Sequence, residues 1–228
     1  MIHFENVGKR YASGREALSG VSFNLEKGDM AFITGPSGAG KSTLLKLIAL
    51  IERPTRGTVL VDNQNTSRIP RRRIPYFRRR IGIIFQDHKL LADRSIFDNV
   101  ALPLLISSLR HREVSRRVRA ALDQVGLLEH EKFSPLSLST GEQQRVGIAR
   151  AIASRPALVI ADEPTGNLDP DLSLEIMRLF ERFNQVGVTL LIATHDIELI
   201  DKFNCRRLRL EQGRVVEMPK SNSSELLV

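Results

Sequence analysis

The 228-residue sequence holds one cysteine, Cys205, so no disulfide can form within the chain, which fits a reducing cytoplasm. Long hydrophobic runs are absent too. The most apolar stretches, residues 44–51 and 96–106, are too short or too interrupted to cross a bilayer. The opening Met1-Ile2-His3-Phe4-Glu5 lacks the basic and apolar regions of a secretion signal. Any membrane role is therefore expected to come through a partner. No internal repeat is visible. Few aromatics interleave the arginines, which disfavours a base-stacking surface.

What is present suits an ordinary globular protein. Charged residues make up 26% and hydrophobic residues 42%, and the length allows one domain with a full core and room for a subdomain. Lysine plus arginine (34) exceed aspartate plus glutamate (26), giving a net charge of +8. Much of the excess sits in Arg68, Arg71, Arg72, Arg73, Arg78, Arg79 and Arg80, with residues 110–119 adding more. Such a face favours phosphate-rich partners, nucleic acid or an anionic membrane leaflet; the alternative is a solvated helix face.

Alternation at residues 2–7 and 21–25 predicts half-buried strands, and the apolar run Met30-Ala31-Phe32-Ile33-Thr34 predicts a strand covered on both faces. A helix is expected over 42–51. Residues 87–156 read as mostly helical, with an apolar stripe at Val114, Val118, Ala121, Leu122 and Val125. Strands return at 157–161 and 188–193, with a helix over 171–185 between them. The order predicts an α/β core with a parallel sheet and a helical insertion.

Gly35-Pro36-Ser37-Gly38-Ala39-Gly40-Lys41-Ser42 stands between a strand and a helix, as a phosphate-binding loop does. Its glycines let backbone N–H groups turn inward onto phosphate oxygens, and the following helix adds its positive end. Lys41 is expected at the β- and γ-phosphates, Ser42 at Mg²⁺, and Thr43 at the α-phosphate. Asp162 closes an apolar strand and is expected to hold Mg²⁺ at the sheet's edge, while Glu163 is the natural base for an attacking water. Read alone, the loop says only that a nucleoside triphosphate binds.

Together with Gln86, Leu138-Ser139-Thr140-Gly141-Glu142-Gln143, Asn167-Leu168-Asp169 and Thr194-His195-Asp196, these motifs resemble, in order, the set of the ATP-binding cassette (ABC) ATPases. The resemblance runs from residue 1 to about 218. It implies an α/β P-loop NTPase fold with a RecA-like parallel-sheet core and an N-terminal antiparallel β-subdomain (1–87 and 157–218), a helical signature subdomain inserted at 88–156, and a flexible tail at 219–228. It implies a Mg²⁺-dependent ATPase that works as a homodimer when ATP is bound, each signature facing its partner's phosphate loop. Tyr11 matches the adenine-stacking aromatic; the lesser alternative is a strand-end residue at the core margin. Gln86 matches a glutamine that touches Mg²⁺ or the attacking water, and His195 a histidine that holds the γ-phosphate and orients the water. Each would be unremarked in isolation. Ser139, Thr140, Gly141, Glu142 and Gln143 are expected to act on the partner's nucleotide, from a helix starting near residue 142, and Asp169 matches the loop coupling the two sites. Thr140 departs from the family's usual glycine. A β-branched residue restricts the backbone and adds bulk where a nucleotide approaches, which predicts weakened closure.

Within that family, Pro164-Thr165-Gly166-Asn167-Leu168-Asp169 resembles the subgroup of lipoprotein-release, macrolide-exporter and cell-division ATPases, and Ile84-Phe85-Gln86-Asp87-His88-Lys89-Leu90-Leu91 looks most like the bacterial cell-division members. That implies a polytopic membrane partner, FtsX, and a peripheral place on the cytoplasmic face of the inner membrane at the division site, controlling cell-wall hydrolysis. Docking is expected between residues 86 and 109, with Ile96, Val100, Leu102 and Leu105 lining a groove or forming the subdomain's core. An anionic membrane surface is the contact left for the arginine clusters. The competing readings are the ATPase of a lipoprotein-release or macrolide exporter, and a soluble ABC protein acting on nucleic acid or the ribosome. The latter kind usually carries two cassettes or a coiled-coil insertion, neither of which is seen here.

Overall fold

The computed structural model describes residues 1–166 and 168–218; Asn167 and the tail expected at 219–228 lie outside the described residues. In chain order the elements begin β1 (Ile2–Arg10), β2 (Glu16–Leu25), β3 (Met30–Thr34), α1 (Lys41–Ile48), β4 (Arg56–Val61), β5 (Gln64–Asn65), α2 (Ile74–Arg78) and β6 (Ile81–Ile84). Then come α3 (Ile96–Leu105), α4 (His111–Gln124), α5 (Thr140–Ile152), β7 (Leu158–Asp162), α6 (Pro170–Gln185), β8 (Thr189–Ala193), α7 (Ile197–Asp201), β9 (Arg206–Glu211) and β10 (Arg214–Met218).

Two sheets form among the described residues. One is antiparallel, in the order β2-β1-β4-β5; the other runs β10-β9-β3-β8-β7-β6, parallel from β9 to β6. In β1, Ile2 and Phe4 are buried while His3 and Glu5 are exposed, the period of two expected of a half-covered strand, and Phe4 stacks on Phe23 of β2 at 4.8 Å. β3 is buried at every position because β8 and β9 flank it and cores lie on both faces. Its pleat divides those cores. Met30 and Phe32 join the helices α3 to α7, while Ala31 and Ile33 join α1 and the antiparallel sheet.

The helices between residues 88 and 156 share their apolar cluster with one face of the parallel sheet. α4 presents the expected stripe inward, and its polar face is laced by ion pairs. Arg116 and Arg117 bracket Glu113, holding its carboxyl at about 2. Three helices begin or end differently from the sequence reading. α1 ends at Ile48, because Leu50 takes a left-handed backbone (φ 53°) and turns the chain out of the helix. α5 starts at Thr140 rather than near 142, because Ser139 caps it. The helix predicted from 171 begins one residue earlier, behind the Asp169 cap.

Candidate active site

The strand-loop-helix β3–α1 places the phosphate loop at the C-terminal edge of the parallel sheet. The loop is squeezed between two strands: a Cβ on Gly35 (φ 139°) would collide with the Leu210 carbonyl of β9, and one on Gly40 (φ 112°) would lie 2.5 Å from the Ala17 carbonyl of β2. Only glycine fits both positions. An open cavity of about 640 Å³ lies over the loop, lined by Pro36 to Thr43 and by Arg15, Gln86, Glu163 and His195.

Lys41 is 8% exposed, and its ammonium donates to the Gly35 carbonyl at 2.7 Å and more loosely to Pro36 at 3.4 Å. Glu163 Oε1 lies 3.6 Å away. Glu163 follows β7 with a left-handed backbone (φ 48°), its N–H still donating to the Ala193 carbonyl of β8 at 2.8 Å. That conformation is uncommon for a residue with a side chain, and it turns this carboxylate away from the direction of Asp162. Its Oε2 accepts from His195 Nδ1 at 2.9 Å. An ionised carboxylate can only accept, so the proton sits on Nδ1 and the opposite ring nitrogen remains available on an exposed side chain.

Asp162 ends β7 half-buried beside Ser42. Burial pushes its carboxyl above the ordinary range, and the Glu163 charge adds to this while the Ser42 hydroxyl opposes it. One of its oxygens, Oδ1, is buried without a hydrogen-bond partner. An orphaned, buried carboxylate oxygen beside the Ser42 hydroxyl fits a hard divalent cation, and the exposed Gln86 lines the phosphate cavity, which Asp162 does not. No group of three His, Cys, Asp or Glu placed to hold a metal exists among the described residues; Mg²⁺ is usually held by one or two carboxylates together with substrate phosphates and water.

Tyr11 lies just past β1, its hydroxyl 3.2 Å from Thr43 Oγ1 and Lys9 Nζ 5.0 Å from its ring. It borders the loop helix but does not line the cavity. Arg15, which sequence reasoning missed, does: its guanidinium donates to the Gly38 carbonyl at 3.0 Å. The available signal was its place in the turn that Tyr11 closes by donating to the Arg15 carbonyl.

The signature segment stands apart from this cavity. Ser139 is the N-cap of α5 in a capping box: its Oγ accepts from the Glu142 N–H at 3.3 Å, and its own N–H donates to Glu142 Oε2 at 2.9 Å. Thr140 is exposed in the first turn, and Gln143 Nε2 donates to the Leu138 carbonyl at 3.1 Å. Gly141 is buried where a Cβ would collide with Leu172 of α6, so the signature packs on the helix that Asp169 caps. None of Ser139, Thr140, Gly141, Glu142 and Gln143 lines the chain's own phosphate cavity.

A second link was not read from the sequence. His88 Nδ1 meets Gln144 Oε1 at 2.5 Å, and Arg150 donates to the Lys89 carbonyl at 2.7 Å and to that of His88. The segment after Gln86 is thereby tied to the signature helix. The expected docking residues divide: Ile96 and Val100 are wholly buried core, Leu102 is half-buried, and Leu105 is exposed together with Ile106 and Leu91.

The family model described as ABC transporter matches residues 18–166. The cell division ATP-binding protein FtsE of Escherichia coli (strain K12) is 57% identical over 215 residues, covering 94% of this chain and 97% of that protein. The protein of that name from Bacillus subtilis is 43% identical, covering 95% of each. Among solved structures, a dimeric ATP-binding cassette in a post-hydrolysis state, bound to ADP and Pi, superposes with a TM-score of 0.88 at 35% identity, covering 96% of this chain and 98% of that one.

Proposed function

The chain belongs to the ABC transporter family and is an ATPase, and from that premise we propose that it is the ATP-hydrolysing subunit of a bacterial cell-division complex, working as a homodimer beneath the membrane protein FtsX. The observation that carries the dimeric reading is the separation of the two half-sites. The phosphate cavity is open, and the chain's own signature residues do not reach it. A second copy, docked so that its α5 N-terminus faces the γ-phosphate, supplies the missing wall.

In this reading Lys41 exchanges the Gly35 carbonyl for the β- and γ-phosphates, and the loop N–H groups and the α1 N-terminus hold the remaining oxygens. Tyr11 stacks on the base. Arg15 stands beside the loop to add positive charge. Ser42, Asp162 and Gln86 would hold Mg²⁺, which supplies neutralisation of the phosphate charge. Glu163 takes the proton of the attacking water, and His195 fixes that carboxylate through Nδ1 while its opposite nitrogen faces the γ-phosphate. Ser139 and the Gly141 N–H of the partner complete the clamp.

Among the described residues no helix is long and apolar enough to cross a membrane. The exposed Leu105, Ile106 and Leu91 next to the segment after Gln86 support docking of FtsX there, where the His88–Gln144 link conveys its position to α5. Control of cell-wall hydrolysis across the membrane follows from that coupling. The test is co-purification with FtsX from detergent-solubilised membranes: Leu105→Asp with Ile106→Asp is expected to lose FtsX while still binding ATP. Retention of FtsX by that variant would refute the docking site.

A further inference from the structure

The arginines clustered before β6 separate sharply by partner. Arg78 donates to the Ala49 and Leu50 carbonyls at 3.2 and 2.9 Å, locking α2 to the end of α1. Arg80 pairs with Asp62. Arg79 does neither. Its guanidinium lies 4.8 Å over the Tyr76 ring, its side chain makes no hydrogen bond or ion pair among the described residues, and its Nε is buried without an acceptor. Arg155, on the turn between α5 and β7, is exposed, and its side chain likewise makes none; its backbone is left-handed, φ 53°.

Arg79 and Arg155 line one cavity of about 280 Å³, together with Ser154 and the first residues of β6 and β7, Ile81 and Leu158. It opens at the N-terminal edge of the parallel sheet. The phosphate loop lies at the other edge, a five-residue strand away, or roughly 15 Å at about 3.3 Å per residue. Three arginines line this cavity against one aspartate, which Arg80 already occupies, so two positive charges are in excess (3 − 1 = 2).

Two arginines beside one concavity, neither with an ion-pair partner among the described residues, leave uncompensated positive charge there. Guanidinium forks match the oxygens of a phosphate, and two of them on one wall favour it over a neutral ligand. The volume is too small for a nucleotide, since pockets for drug-sized ligands begin at about 300 Å³. It has room for a phosphate group or a small phosphate ester. We propose that this cavity is a second anion site, specific for a phosphate monoester or pyrophosphate and independent of the nucleotide site. Arg79 and Arg155 are its ligands and the Ser154 hydroxyl is a third donor. The source is either a free phosphate compound or the headgroup of an anionic lipid.

The test uses the full chain carrying Lys41→Ala, which cripples the phosphate loop, with and without Arg79→Gln and Arg155→Gln. Pyrophosphate is titrated calorimetrically, and sedimentation is followed with phosphatidylcholine vesicles with and without phosphatidic acid. The arginine pair is expected to account for about a tenfold or greater difference in affinity, given a bidentate, charge-assisted contact. Loss of pyrophosphate binding assigns a free anion; loss confined to phosphatidic acid vesicles assigns a lipid headgroup. Both support the site. Equal binding with and without the arginines overturns it, as does no binding of either probe by the Lys41→Ala protein. Because Arg155 is exposed, Arg155→Gln alone keeps the test decisive if the double change unfolds the chain. ATP turnover in the otherwise native chain carrying Arg155→Gln checks that the fold and the nucleotide site are intact.

Discussion

Thr140 stands where the sequence resemblance leads one to expect glycine, and its position narrows what that threonine costs. It occupies the first turn of α5, exposed, and is not among the residues with a left-handed backbone. Glycine is therefore not required there by the backbone of the free chain. What threonine adds is bulk at a helix N-terminus where a partner's γ-phosphate must approach. Thr140→Gly is expected to tighten ATP-driven dimerisation severalfold, read by sedimentation, while lowering the stability of the free chain by no more than about 1 kcal/mol. Unchanged dimerisation would remove any role for the side chain. Asp162 makes the complementary case. Burial raises its folded pKa above its unfolded value, so the charged form is disfavoured by folding. The penalty is absent at low pH, grows as pH rises from the unfolded toward the folded pKa, and persists at neutral pH. Asp162→Asn is expected to raise the melting temperature of the nucleotide-free protein at pH 7 and to abolish the extra stabilisation that Mg²⁺ adds to ATP. A lower melting temperature at pH 7 would contradict the assignment of burial as the dominant cause.

At the scale of elements, α5 carries the most consequence for its length. Its capping box joins Ser139 to Glu142, and hydrogen bonds to Ser139 hold the Glu142 carboxyl below the ordinary range. Ser139→Ala is expected to cost about 1 kcal/mol in urea denaturation of the free chain, as loss of an N-cap hydroxyl does. The same change should weaken the ATP-bound dimer by more than this if, as proposed, the hydroxyl also faces the partner's phosphate. Equal losses in the two states would reduce Ser139 to a cap. The elements legible in the sequence were those with strong local signals. β3, α4 and α6 read correctly to within a few residues because their apolar periods are uninterrupted. The β9–β10 hairpin went unread although Leu208 and Leu210 alternate with Arg207 and Arg209 around a Gln212-Gly213 turn. There the charged partners masked a period of two. β4 was missed for another reason: its Gly57 lies where a Cβ would meet the Glu5 and Asn6 carbonyls of β1, a tertiary constraint that no window of sequence displays.

Across the whole molecule, the sequence order of the motifs was legible but their meeting points were not. Gln86, Lys41, Glu163 and His195 come from four separate segments, and their convergence on one cavity depends on the strand order β3-β8-β7-β6. The Lys41–Glu163–His195 contacts and the Arg15 bond to Gly38 are products of that topology. So is the distance between the chain's phosphate loop and its own signature, which makes one copy half of a machine. The central claim is that two copies close around ATP, and it is tested most directly by sedimentation of the Glu163→Gln protein with and without ATP and Mg²⁺. That substitution is expected to remove the proposed base while leaving the nucleotide contacts, so that bound ATP persists. The account predicts a monomer without nucleotide, a dimer with ATP, and a monomer again when Lys41→Ala is added. A Glu163→Gln protein that is saturated with ATP and still sediments as a monomer would contradict it.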